Sequence, residues 1–166
     1  ISKQLDLFDR FSYYEGPDVE YKSARGGLPK DLWETYSAFA NSDGGTIWLG
    51  IAQKDGHLDF HGVTNPEKVR SDFWNLVNNR EKVSRNLLAE SDVSVVALDD
   101  EDKLRVISIR VPKATRRERP VHVGRDPLAG TFRRNYEGDY RCTEDEVRRM
   151  FGDQQDDEPA DSRILL

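Results

Sequence analysis

The stretch AFANSDGGTIWLGI, residues 38–51, joins two periodicities with almost no spacer, and this joint constrains the fold more than any other part of the chain. Upstream of it Leu32, Trp33, Tyr36, Phe39 and Ala40 recur at helical spacing and form one apolar stripe, with Pro29 suited to the first turn. Downstream, Thr46 to Ile51 is uncharged on both faces, the pattern of a buried strand. A helix with one stripe to bury and a strand with two faces to bury, so close together, require helices layered on a sheet.

Asn41-Ser42-Asp43-Gly44-Gly45 fills the joint. A phosphate loop of the Gly-x4-Gly-Lys-Ser/Thr kind runs from strand to helix and ends on a lysine, so that amides and a helix N-terminus converge on the anion. Here the order is helix, glycines, strand, and no lysine follows. The glycines therefore read as a helix C-cap with left-handed backbone.

The same logic runs along the chain. Leu5, Phe8 and Phe11 share a face of a weak helix over residues 3–12, and Gly16-Pro17 stops it. The run 19–24 alternates as a strand, placing Glu20 and Lys22 on one face and Val19 and Tyr21 on the other. Asp55-Gly56 makes a tight turn, and Asn65-Pro66 opens a second helix with Val69, Phe73, Leu76 and Val77 inward. The runs 93–98 and 104–111 form a hairpin across the acidic loop Asp99–Asp102, and a short strand follows at Thr131–Arg134. Thr143 and Glu146 make a capping box for a helix carrying Val147, Met150 and Phe151. The sum is an α/β (α+β) domain, a single mixed β-sheet packed with helices. Residues 1–14 read as a partly helical extension, 15–151 as the domain, and 152–166 as an acidic disordered tail or linker.

Composition limits the function classes. At 166 residues the chain can bury one real core. No apolar run approaches a membrane span, there is no signal peptide, and the single cysteine, Cys142, favours a reducing, cytoplasmic setting. Beginning at Ile1, the chain reads as a piece of something longer. The formal charge of −6 is unevenly spread. Residues 152–166 carry five acids and one arginine, a net of −4, whereas Arg110 to Arg134 carries eight basic residues against Glu118 and Asp126, a net of +6. Phe132, Tyr136 and Tyr140 interleave with Arg133, Arg134 and Arg141. Arginines and rings on a sheet-bound segment suit phosphate contacts and base stacking.

Other chemistries find less support. His57 and His61 lack further ligands for zinc, and no Gly-x-Ser-x-Gly or Cys–His context suggests a nucleophile. Glu15 and Glu20, with Lys22 beside them, are acids of the kind that bind Mg²⁺ or Mn²⁺ in phosphodiester hydrolysis, but from the residues alone a surface Glu20–Lys22 pair is the better reading.

Taken in order, Glu15-x4-Glu20-x-Lys22, Leu28-Pro29-Lys30-Asp31, residues 38–51, His61-Gly62-Val63, Pro120-Val121-His122-Val123 and residues 130–150 resemble the Schlafen-type Alba-like (AlbA_2) domain. The resemblance covers Glu15 to Phe151, and Ala-Phe-Ala-Asn-x-x-Gly-Gly is its most specific block. It implies a nucleic-acid-binding module of bacterial transcriptional-regulator-like proteins, with DNA or RNA as partner, no cofactor and no membrane. The residues expected on phosphates are Lys22, Lys30, Arg116, Arg117, Arg133 and Arg134. The alternative is the metal-dependent endoribonuclease activity of some Schlafen proteins, which uses three acids and Mg²⁺ or Mn²⁺. Two of those acids fall on Glu15 and Glu20; the third position falls on Ala52-Gln53, with Asp55 nearby but out of register. A third reading is a self-association module, a homodimer.

Overall fold

The helix-to-strand joint forms as the sequence predicts, and the rest of the sheet grows from it. In a computed structural model, residue 11 and residues 15–165 are described, with side chains to residue 155. Helix α1 (Leu32–Ala40) buries its whole apolar stripe. Its last turn closes where Gly44, at φ 79°, donates its amide to Phe39 O at 2.8 Å. A Cβ on Gly44 would stand 2.8 Å from Val111 O, and one on Gly45 would stand 2.8 Å from the Phe39 ring. The glycine pair thus lets a helix end pack directly on the sheet.

Strand β1 (Val19–Lys22) lies parallel to β2 (Gly45–Leu49), with α1 as the crossover. Two further strands come later in the chain and belong to the same sheet. Before them, β3 (Ile51–Lys54) and β4 (His57–Phe60) pair as a hairpin, turning at Asp55 (φ 49°) and Gly56 (φ 78°), and α2 (Pro66–Val77) follows. Asn65 caps α2 by accepting from the Lys68 amide, and Val69, Phe73 and Val77 face inward with Leu76 half-buried. Strands β5 (Val93–Ala97) and β6 (Arg105–Val111) then complete a mixed sheet in the order β1-β2-β6-β5.

A short helix α3 (Pro127–Gly130), a ribbon of β7 (Phe132–Asn135) and β8 (Gly138–Arg141), and helix α4 (Glu144–Leu165) close the fold. The Thr143–Glu146 capping box is formed, with reciprocal bonds of 3.2 and 2.9 Å. Leu32, Tyr36, Phe39, Ile47, Leu49, Phe73, Ile107 and Ile109 share the main core. A smaller cluster of Phe11, Tyr21, Ile51, Leu98 and Val106 lies apart from it, with Trp48 and Phe60 packed against it.

One expectation changes. The uncharged run 46–51 is not one strand: Gly50, at φ 100°, breaks it, and Ile51 starts β3 in a separate hairpin. The reason is tertiary, since Gly62 donates to Gly50 O at 2.8 Å and leaves no room for a side chain there. The β3–β4 and β7–β8 pairs stand as small sheets beside the mixed one. Helix α4 continues past Phe151 as far as Leu165. Apart from Phe11, the expected helix over 3–12 lies outside the described residues. No helix among the described residues is long and apolar enough to cross a membrane.

Candidate functional site

Strand alternation delivers Glu20 and Lys22 to one face of β1, and both are buried. Glu15, just before the Gly16-Pro17 turn, comes back onto them: its carboxyl group hydrogen-bonds that of Glu20, and its amide donates to Gln53 Oε1 at 3.1 Å. A hydrogen bond between two carboxyl groups needs a proton on one of them. Burial, then the bond to Glu20 and its charge, push Glu15 up to about 8, against the opposing pull of Arg134. At neutral pH Glu15 is therefore largely the protonated partner.

Arg134 reaches the same acids from β7. Its Nη1 lies 2.7 Å from Glu20 Oε1 and 2.7 Å from Asp139 Oδ1. Its Nε and Nη2 donate to Gly16 O at 3.1 and 2.8 Å, and Nη2 also to Val19 O at 3.0 Å. All five N–H groups of the guanidinium are thus engaged, and the side chain is 1% exposed. Its carbon lies 4.9 Å from the centre of the Phe39 ring, and Thr35 Oγ1 donates to Asp139 at 2.5 Å, so the network sits on α1.

This arrangement bears on two expectations. Arg134 and Lys22, expected on phosphates, are both engaged within the fold; Lys22 Nζ pairs with Asp31 at 3.1 Å and the lysine is itself buried. Asp55 does not join Glu15 and Glu20. It sits exposed at the β3–β4 turn, while Gln53 occupies the position beside Glu15. A divalent cation needs several anionic oxygens free to converge on it. Glu20 Oε1 faces a guanidinium, and a neutral amide stands in the third place. Among the described residues no group of three or more His, Cys, Asp and Glu side chains is placed to hold a metal ion. The residues do not fit the Mg²⁺ or Mn²⁺ centre that the nuclease alternative requires.

The remaining expected cations lie outward. Lys30, Arg116 and Arg117 are exposed, and Arg133 is partly exposed, pairing with Glu146 at 3.1 Å. Arg116 and Arg117 ride on a turn in which Glu118 donates its amide to Thr115 O at 3.0 Å, while its Oε1 accepts from the Thr115 amide at 2.8 Å. Ala114 N to Ala40 O, 2.8 Å, ties one side of that turn to α1, and Asn41 ties the other. Asn41 Nδ2 donates to Val121 O at 2.8 Å and Phe132 O at 2.9 Å, and its Oδ1 accepts from Val121 N at 2.9 Å.

Asp139 is a structural member of the site that the sequence did not single out, and Asn41 and Gln53, named there in the joint and at the third acid's position, take structural roles. Asparagine in an otherwise apolar helix end is the available signal for Asn41. Asp139 needed β8, and Gly138 at the foot of an alternating run was its only cue. One further cluster lies apart: Ser23 Oγ is 3.3 Å from His61 Nε2, but Asp59 stands 3.9 Å from His61 Nδ1 and binds Arg25 at 3.0 Å. Those three do not form a hydrogen-bonded relay.

With this geometry in place, the comparisons with known proteins are informative. The model of the family described as Schlafen, AlbA_2 matches residues 15–142. Among solved structures, the chain is similar to the solution NMR structure of the N-terminal domain of an ATP-dependent DNA helicase RecG-related protein from Nitrosomonas europaea. The two are 26% identical with a TM-score of 0.56, over 84% of this chain and 91% of that one. No curated protein matches the chain.

Proposed function

The chain belongs to the Schlafen AlbA_2 family, whose model spans its residues 15–142, and on that premise we propose that it is a nucleic-acid-binding domain that acts by contact rather than by catalysis. The observation that carries the reading is the arginine turn. Arg116 and Arg117 point outward from a short loop whose flanks are bonded to the end of α1, within a segment of net charge +6 (eight basic residues less two acids). Fixed cations hold phosphates at lower entropic cost than cations on a floppy tail. Lys30 and Arg141 add exposed positive charge, and Lys30 and Arg117 carry no ion pair among the described residues. The likeness to a domain of a protein named for DNA helicase agrees with a polynucleotide partner.

The buried Glu15–Glu20–Arg134–Asp139 network has a supporting role in this reading. It welds the β7–β8 ribbon to β1 and so fixes the surface on which the outer arginines sit. The experiment is a fluorescence-anisotropy titration of labelled DNA and RNA with the wild type and an Arg116→Ala, Arg117→Ala double variant. Binding that weakens about tenfold or more in the variant supports the proposal, each phosphate contact being electrostatic. Wild type and variant with equal affinity, or no binding by either, overturns it.

A further inference from the structure

We infer that the outer face of the β7–β8 ribbon is a stacking platform for unpaired bases, so that the polynucleotide bound is single-stranded; this rests on the nucleic-acid reading and narrows it. The ribbon's two faces are built differently. Its register pairs Phe132 with Arg141, Arg133 with Tyr140, Arg134 with Asp139 and Asn135 with Gly138. Alternation puts Phe132, Arg134, Asp139 and Arg141 on one side, where Phe132 and Arg134 are buried, Asp139 is bonded to Thr35 and Arg134, and Arg141 lies exposed at the end of the ribbon. That side faces α1. The other side carries Arg133, Asn135, Gly138 and Tyr140, and the ribbon's tip carries Tyr136.

Tyr136 is 79% exposed and Tyr140 51%, more than any other large hydrophobic side chain among the described residues. Neither ring makes a hydrogen bond or a ring contact among those residues. Neither ring has a part in either core cluster. Tyr140 is also held in place. A Cβ on Gly138 would stand 2.9 Å from the Tyr140 ring, so the ring lies over the glycine, backed by main chain and open on its far side. Tyr136 sits at φ 55°, a turn position that suits Asn or Gly far better than an aromatic residue. The local backbone preference argues against a tyrosine there, and no contact inside the chain offsets it.

Charge beside the rings completes the case. Arg133, partly exposed and paired with Glu146, lies directly across from Tyr140, and the exposed Arg141 follows Tyr140 on β8, its guanidinium carbon 5.8 Å from the centre of the Phe132 ring on the ribbon's other side. Rings that take base faces, set among arginines that take the backbone, are the composition of single-strand binding surfaces. In a duplex the base faces are already stacked on one another, and an exposed ring reaches them only by unstacking a step. The ribbon therefore favours a strand whose bases are already free.

The test titrates short labelled oligonucleotides of one sequence at fixed salt: single-stranded RNA, single-stranded DNA and the corresponding duplexes. The wild type binds single strands more tightly than duplex. Tyr136→Ala and Tyr140→Ala each weaken single-strand binding about tenfold, within the range for loss of one stacked base. Tyr140→Phe retains binding, because the ring and not the hydroxyl does the stacking. All three variants keep the wild-type melting temperature, since the rings are exposed. A preference between the RNA and DNA arms identifies the sugar, and either supports the platform. Tyrosine variants that bind like wild type, or duplex bound as tightly as single strand, overturn it, while the nucleic-acid reading survives if the Arg116/Arg117 variant still loses affinity. No binding by the wild type to any of the oligonucleotides removes both.

Discussion

Arg134 and Glu20, 114 residues apart in sequence, meet in a 2.7 Å ion pair that ties the β7–β8 ribbon to the edge strand β1. The pair is enclosed, with side-chain exposures of 1% and 11%, so removing the cation leaves Glu20 and Asp139 as poorly solvated charges. Arg134→Ala is expected to cost about 3–5 kcal/mol in urea unfolding. Arg134→Lys recovers little of it, because an ammonium lacks the planar fork that spans Gly16, Val19 and two carboxylates. A loss below about 1 kcal/mol for Arg134→Ala would show that the network does not hold the ribbon.

Glu15 gives the fold a pH dependence of definite sign. In the unfolded chain its carboxyl releases its proton near 4.5, whereas in the fold burial and Glu20 hold it to about 8. Between those values the unfolded state binds fewer protons, so this group's contribution to stability falls as pH rises through the window. Glu15→Gln keeps a donor for Glu20 and removes the titration. The variant is expected to match the wild type near pH 4.5 and to exceed it near pH 8 by about 1 kcal/mol, discounted for partial solvent access, or ~3 °C in a thermal scan. Parallel curves for the two proteins would exclude the shared proton.

Asn41 bridges the end of α1 to Val121 and Phe132 with three bonds of 2.8–2.9 Å, and it is buried. Asn41→Ala strands two carbonyls and an amide, a cost of about 2–4 kcal/mol. Because Val121 closes the loop that carries Arg116 and Arg117, hydrogen exchange at the Val121 amide should accelerate more than exchange in β5 and β6. Uniform acceleration across the sheet would mean that Asn41 stabilises the domain without specifically fixing that loop.

Local signals in the sequence were reliable wherever the structure has a local cause. The α1 stripe, the Asn65 cap, the Asp55-Gly56 turn and the Thr143–Glu146 box are each set by neighbours within four residues, and each formed. The failures are tertiary. An uncharged run cannot reveal that Gly62 will approach Gly50 and end β2 at Leu49. A formal charge does not announce its partner, so Arg134 read as a surface cation although Glu20 and Asp139 enclose it. The position of Ala52-Gln53 in the third acid's place, with Asp55 out of register, was legible in the sequence, whereas the approach of Glu15 to Glu20 across Gly16-Pro17 depended on the fold. Lys30, Arg116 and Arg117 lie exposed, outside the strands and helices of the fold.

The central claim, that the outward arginines bind a polynucleotide, is tested most directly by the salt dependence of affinity. Each phosphate contact to a single strand releases counterions and adds about −0.7 to the slope of log K against log salt. With Lys30, Arg116, Arg117 and Arg141 in contact, the account predicts a slope of about −2 to −3 for the wild type, reduced by about 1 to 1.5 in the Arg116→Ala, Arg117→Ala variant. A wild-type slope near zero, or no saturable binding at low salt, would contradict it.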